Sequence, residues 1–385
     1  MSAAKISVII NNALALITVK YSLKKFEGEG HTLKKYACIA ALAGALIFVV
    51  CLFSGCASFR EEPAGKEDAE AELEFFAMDT FMRVVACGEK ERANAAVLAA
   101  QEEVYRLEGM FSTEKETSEI YQANKSGGGE ISGETFDLLQ RAVQLWEMTE
   151  GAFDITVYPL MRAWGFTDGQ YRVPDASEIS GLLKKTGASG VLFNKEEGSV
   201  KYNVEGMQVD LGGIVKGYAA ARIMEIYQKE GLAGGLVSLG GNVQVFGTKP
   251  DGSPWRIGLK NPEGGKEYLG VLQAKDLAVV TSGGYERYFE QDGARYHHIL
   301  DPATGYPAGA GLLCATVVSA DGTLADGLST AVFIMGMERA VELWREHSNE
   351  FDMVLYTEEG ELYVTEGIYE DFSSALTYTI IPVEP

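Results

Sequence analysis

The stretch Asp210-Leu-Gly-Gly-Ile-Val-Lys-Gly217 constrains this chain more than any other. Met207 to Leu211 alternates apolar and polar residues, the period of a half-buried strand. Two glycines follow, and then Val215, Ala219, Ile223 and Ile226 share one helical face until Gly231 supplies a stop. A strand that turns through glycines into a helix start presents unpaired backbone N–H groups and the positive end of a helix dipole. Anions bind well there. Lys216 adds a positive charge, and Asp210 a carboxylate that can accept hydrogen bonds from a ligand. The competing reading is a plain tight turn at Gly212 and Gly213 beside a solvated lysine, and this segment alone leaves both open.

Charge narrows the ligand. The formal net charge of -22 excludes nonspecific nucleic-acid binding, which needs basic patches. Any polyphosphate must then be held by local donors, a lysine or a metal ion. With 385 residues the chain can bury one large core or two smaller ones. Five cysteines are few, and without a CxxC pair a thiolate zinc site is not expected. Cys87 and Cys314 read either as a disulfide or as two buried thiols.

The first 56 residues have the order of an export signal. Lys34-Lys35 precedes an uncharged apolar run, Tyr36 to Phe53, which ends in Phe-Ser-Gly-Cys56. This resembles a bacterial lipoprotein signal with Cys56 as the lipidated residue, although Phe53 stands where leucine is usual. The alternative is a single N-terminal transmembrane helix. Both place the body on the extracytoplasmic face of the cell membrane. The same order predicts a true start near Leu33. Residues 57–72 are mostly acidic and read as a tether, and residues 73–385 read as the catalytic body.

Within the body, strand-like and helix-like segments interleave without a regular βα period. The expectation is therefore an α+β fold with mixed or antiparallel sheets. One strand is expected over Glu74 to Val85, helices over Glu91–Glu108, Thr135–Glu150, Thr323–Met335 and Glu338–Glu346, and a closing hairpin over Asp352–Thr365.

Few groups can do acid–base chemistry. Of four histidines, two are adjacent in Tyr296-His-His-Ile-Leu-Asp-Pro302, and neighbours on a strand point to opposite faces. His297 reads as structural. His298, three residues before Asp301, is open between a structural role and a general base whose pKa the carboxylate raises. Asp326 and Thr330 lie four apart at a helix start and offer hard oxygen ligands suited to Mg²⁺; the alternative is an ordinary N-cap for Asp326. Thr281-Ser-Gly283 is a further hydroxyl-bearing turn. Ala152-Phe-Asp154 offers a ring and a carboxylate to a planar ligand, or Phe153 to the core.

These stretches, together with Met78-Asp-Thr80, Ser118-Glu-Ile120 with Asn124, and Gly240-Gly-Asn242, resemble in their order the ApbE-type FAD:protein FMN transferases. Gly284 and Val215 depart from the usual pattern. The resemblance implies FAD contacts by Met78, Ala152, Phe153, Asp154, Asp210, Lys216, Ser282 and Leu300. It implies Mg²⁺ held by Asp326, Thr330 and the Gly213 carbonyl, with His298 and Asp301 at the reacting hydroxyl. The implied reaction moves FMN from FAD to a Ser/Thr hydroxyl of a target flavoprotein and releases AMP. Implied targets are membrane redox subunits of the Rnf/Nqr type or exported FMN-binding domains. The rivals are an FAD pyrophosphatase and a flavin-binding lipoprotein without turnover.

Overall fold

The computed structural model describes residues 68–265 and 267–384. The export segment, Cys56 and residues 57–67 of the expected tether lie outside them. Strand β1 (Asp68–Ala77) already begins within the segment that reads as the tether, at residues 68–72. Ala71 and Phe75 turn inward there, while Glu70, Glu72 and Glu74 occupy the outward face. An edge strand with one solvated face carries acidic residues at every second position, and in composition that mimics a linker. The single strand expected from Glu74 to Val85 is a hairpin. Met78 and Asp79, at φ 47° and 59°, turn β1 back onto β2 (Thr80–Glu89), with Ala77 opposite Thr80.

After β2 come α1 (Lys90–Phe111), α2 (Glu119–Ser126), β3 (Gly128–Glu130) and α3 (Gly133–Met148). Then follow α4 (Tyr158–Ala163), α5 (Ala176–Leu183), β4 (Val191–Asn194), β5 (Ser199–Tyr202) and α6 (Val215–Lys229). Five strands come next: β6 (Gly234–Leu239), β7 (Asn242–Gly247), β8 (Trp255–Lys260), β9 (Tyr268–Ala274) and β10 (Ala278–Gly283). A ribbon of β11 (Tyr288–Gln291) and β12 (Ala294–His297) leads to β13 (Leu312–Ser319) and α7 (Gly322–Glu346). The chain closes with β14 (Asp352–Thr357), β15 (Leu362–Thr365), β16 (Phe372–Ser373) and β17 (Tyr378–Ile381). The two helices expected from Thr323 to Glu346 are present within this span: Gly336, at φ 74° and ψ -176°, is not helical and separates them.

Nine strands form the central sheet in the order β1-β2-β6-β7-β10-β13-β14-β15-β17. Its pairs are antiparallel except β15 with β17. The fold is the expected α+β arrangement. Helices α1, α6 and α7 cover one face. The small sheet β16-β9-β8 covers part of the other. Central strands therefore bury both faces, so Val84 and Val280 join the helical core while their neighbours Val85 and Val279 join the second core. That double burial is why these strands read as continuous apolar runs rather than alternating ones. Cys87 and Cys314 are free and buried. A third cluster of Leu160, Trp164, Phe166, Ile179 and Leu300 lies under the β11–β12 ribbon.

Candidate active site

Met207 to Leu211 buries its apolar residues, but among the described residues it pairs with no strand. The Asn124 carboxamide takes the place of a neighbour: Nδ2 donates to the Val209 carbonyl (2.8 Å) and Oδ1 accepts from the Val209 N–H (2.7 Å). Asp210 N–H donates to the Ile155 carbonyl (2.8 Å). The chain then turns through Gly212 and Gly213 into α6, as expected. What differs is the use of the freed donors. Gly212 N–H goes to Asp210 Oδ1 (2.8 Å), and Gly217 N–H, in the first turn of α6, goes to Asp326 Oδ2 on α7 (2.8 Å). The Lys216 N–H also favours the ionised form of Asp326. The anion at this helix N-terminus is thus a carboxylate of the protein itself. Asp326 caps α6 across the helix crossing, while Asp321 caps α7 by accepting from Thr323 and Leu324 N–H. The N-cap alternative for Asp326 was right in kind and wrong in helix.

The crossing is close because Gly217 leaves room. A Cβ there would stand 2.1 Å from the Gly322 carbonyl oxygen and 2.6 Å from Asp326 Cβ. On the far side of the corner, Phe153 Cε2 would lie 3.1 Å from a Cβ on Gly213 and 3.5 Å from one on Gly327. One ring therefore spaces the Gly213 turn from the Asp326–Gly327 step. Ala152 and Phe153 are buried in the helical core, the second of the two readings for Phe153, and its ring supports the corner from below. Asp154 is likewise turned inward, accepting from Thr156 N–H (2.7 Å) and Thr156 Oγ1–H (2.6 Å). Burial raises its pKa, and those hydrogen bonds oppose the rise.

Asp326 is 5 % exposed, and burial raises its pKa against the opposing charge of Lys216. Thr330 Oγ1 lies one helical turn on, 3.3 Å from Ser282 Oγ on β10, which is 2.9 Å from Ser329 Oγ. The buried Asn242 side chain stands beside Asp326 and favours its ionised form, and its amide oxygen has no hydrogen-bond partner among the described residues. Oxygen donors thus dominate this corner. Among the described residues no group of three His, Cys, Asp or Glu side chains could hold a metal, so any cation here relies on hydroxyl and carbonyl oxygens beside one carboxylate.

The imidazole arrives from the other side. His297 is structural, as expected: its Nε2 meets the Ala308 carbonyl (2.9 Å) and its ring packs edge-on against Phe333. His298 extends the ribbon. Its backbone N–H donates to the Arg287 carbonyl (3.0 Å), and the same oxygen lies 3.2 Å from Nδ1. A carbonyl only accepts, so Nδ1 carries the proton and Nε2 keeps its lone pair. Burial, followed by the positive charge of Arg287, pulls the His298 pKa down to about 3, with smaller contributions from His297 and Lys216. The expectation that Asp301 raises it is corrected. Asp301 Oδ1 accepts from Ala303 N–H (2.8 Å), closing the 301–306 turn, and among the described residues it makes no bond to His298. Leu300 is buried in the third cluster, so its side chain too is structural.

Lys216 is the common neighbour. Its Nζ donates to the Gly212 carbonyl (2.7 Å), and its charge acts on Asp210, Asp326 and His298 together. Glycine corner, imidazole and acid–hydroxyl pair therefore meet around one ammonium. Burial raises the Asp210 pKa, opposed by the Gly212 N–H and then by Lys216 and Arg287. Beside Asp210 a cavity of about 350 Å³ is lined by Thr113, Tyr121, Asn124, Lys125, Tyr158 and Arg162, among others. Met78 sits at the β1–β2 turn, its N–H donating to Glu108 Oε1 (2.6 Å). Sequence reasoning missed the clamp role of Asn124 and all of Arg287, whose partners lie across long spans of chain.

A sequence profile of the ApbE family matches residues 78–355. The chain is 34% identical over 266 residues to the FAD:protein FMN transferase of Klebsiella pneumoniae (strain 342), covering 68% of this chain and 82% of that one. It is 31% identical over 334 residues to the FAD:protein FMN transferase of Treponema pallidum (strain Nichols), covering 81% and 90%. Among solved structures, the ApbE protein of Thermotoga maritima MSB8 superposes with a TM-score of 0.74 at 38% identity, over 78% of this chain and 98% of that one. The flavinyl transferase ApbE of Pseudomonas stutzeri, in its apo form, gives 0.71 at 28% identity, over 80% and 98%. With the profile matching well over half of the chain, this protein belongs to the ApbE family.

Proposed function

We propose that this protein is an FAD:protein FMN transferase that flavinylates a Ser or Thr of a target flavoprotein. The observation that carries the reading is the neutral imidazole of His298, its Nε2 free, within electrostatic reach of Lys216, which in turn acts on Asp210 and Asp326. The hydroxyl oxygen of the acceptor attacks the FMN-side phosphorus of FAD. The bond from that phosphorus to the bridging oxygen breaks, and AMP leaves with its electron pair. The hydroxyl proton passes to His298 Nε2. Lys216 supports the charge spread over the pyrophosphate, and the packed corner holds the reacting groups in line. A depressed pKa keeps the imidazole unprotonated and ready, and an arriving pyrophosphate, being negative, raises its basicity when needed.

The oxygen-rich corner fits a magnesium ion, with Asp326, Thr330 and the Gly213 carbonyl as the holding groups and the unpartnered Asn242 amide oxygen alongside. Bound there, the ion would neutralise charge on the transferring phosphate. We place the body at the extracytoplasmic face of the membrane, anchored through Cys56. Its targets there are membrane redox subunits or exported FMN-binding domains.

The test incubates the full-length protein with FAD, Mg²⁺ and an FMN-binding domain carrying an acceptor threonine, and weighs that domain by mass spectrometry. One added FMN phosphoester with equimolar AMP supports the transferase. AMP with free FMN makes it a pyrophosphatase, and neither product makes it a binder. His298→Ala should lower transfer by about 10²–10⁴-fold while FAD still binds.

A further inference from the structure

Arg287 has no role in the reading above, yet it touches the imidazole half of the site and its charge acts on Asp210 in the glycine corner. Its Nη2 donates to the Phe166 carbonyl (2.6 Å), its own carbonyl holds His298 through both N–H and Nδ1, and the Phe166 ring faces the imidazole at 6.4 Å. One residue thereby fixes two walls around the base. A guanidinium has five N–H donors in a rigid fork, and this one uses a single nitrogen on Phe166. Its charge reaches Asp210 on one side and His298 on the other, so it stands beside the space the pyrophosphate must enter.

A second cation is also needed there. The donors that the glycine corner was expected to offer to phosphate are already directed to the protein's own carboxylates: Gly212 N–H to Asp210, and Gly217 N–H to Asp326. Lys216 is partly engaged by the Gly212 carbonyl. In a chain of net charge -22, a ligand with two linked phosphates needs further local positive charge.

Building on the transferase reading, we infer that Arg287 is the pyrophosphate clamp of this site, holding the imidazole wall through Phe166 and presenting its remaining N–H donors to the phosphates of FAD. Planar, paired donors suit this task better than a lysine ammonium.

The test uses the full-length protein with Arg287→Gln and Arg287→Lys, both checked for native near-UV circular dichroism. FAD and riboflavin, which lacks phosphate, are the binding probes. Arg287→Gln should weaken FAD binding about tenfold and leave riboflavin binding unchanged, and it should lower kcat/KM for transfer by about 10- to 100-fold. The groups facing His298 are Arg287, His297 and Lys216. Removing the Arg287 charge raises the imidazole pKa, so the acid limb of kcat/KM moves to higher pH. Arg287→Lys keeps the charge: its limb stays in place while part of the affinity loss persists. Equal losses for FAD and riboflavin, or an unmoved limb in Arg287→Gln, would reduce Arg287 to a structural tie and overturn the inference. A wild type that binds FAD without producing AMP or flavinylated target ends the transferase reading alone, and the FAD-against-riboflavin comparison still decides Arg287. A wild type that binds no FAD overturns both.

Discussion

The two halves of the site are built differently. The acid half is the α6–α7 crossing, set in the largest core, where Ala219, Ala220, Leu328 and Ala331 are fully buried. Backbones approach there until only glycine fits, and the Asp326 and Thr330 oxygens are positioned by the packing itself. The imidazole half is a two-stranded ribbon on a satellite cluster. Two strands alone are marginal in water. The ribbon is held by an aromatic stack, Tyr171 on Phe289 (5.2 Å, 13°) and Phe289 on Tyr296 (5.3 Å, 24°), and by single hydrogen bonds such as Arg287 to Phe166. One half is part of the fold, and the other is moored to it. On the proposed reaction, such a division would let the side of Asp326 and Lys216 stay fixed while the side of His298 accommodates a protein acceptor.

The comparison is broken most directly at Gly217. In Gly217→Ala the new methyl meets the Gly322 carbonyl at 2.1 Å, a backbone atom that cannot swing away. The helices must part, and Asp326 loses its bond from Gly217 N–H. The expected cost is about 3 kcal/mol of stability together with loss of transfer. Chemical denaturation and the flavinylation assay check both, and a variant with wild-type midpoint and activity would show that the crossing is looser than it looks.

Asn124→Ala comes next. It removes both hydrogen bonds that hold the unpaired Val209 segment and leaves a backbone donor and acceptor without partners. About 2 kcal/mol is expected. Because Asp210 follows directly, FAD affinity should fall along with stability. Equilibrium unfolding and FAD titration separate these effects, and a stable variant with unchanged affinity would show that Leu211 to Val215 holds itself.

How much of this was legible in the sequence follows from range. The turn into α6, the amphipathic face with Val215, Ala219 and Ile223, and the long α1 are local patterns, and all appear as read. Of the oxygen corner only the one-turn spacing of Asp326 and Thr330 was legible; their contacts with the Gly217 N–H and Ser282 were not. Cross-chain assignments were not legible. Nothing local says that the Asp326 carboxylate caps another helix 109 residues away, or that Asn124 stands in for a strand 85 residues away. Asp301 misled for the opposite reason. Three residues from His298 it seemed close, yet the Asp301–Tyr306 turn takes its carboxylate for itself.

The smallest expected effect probes the moored half. Trp164 Nε1–H donates to the Gly305 carbonyl (2.9 Å), and its ring lies against Tyr296 at 5.4 Å, so one indole ties the base's ribbon and the 301–306 turn to the satellite cluster. Trp164→Phe keeps most of the apolar ring but leaves that carbonyl without its buried donor, at about 1–2 kcal/mol. Global stability should change little more than that, because the satellite cluster contributes only part of the core. Placement of the imidazole should suffer disproportionately: kcat should fall severalfold while KM for FAD rises by less, since Arg287 stands on the loosened half but Asp210 and Lys216 belong to the other. Steady-state kinetics beside a melting curve decide it. A matched loss in kcat and KM, or a collapse of the whole fold, would mean that the two halves are mechanically one.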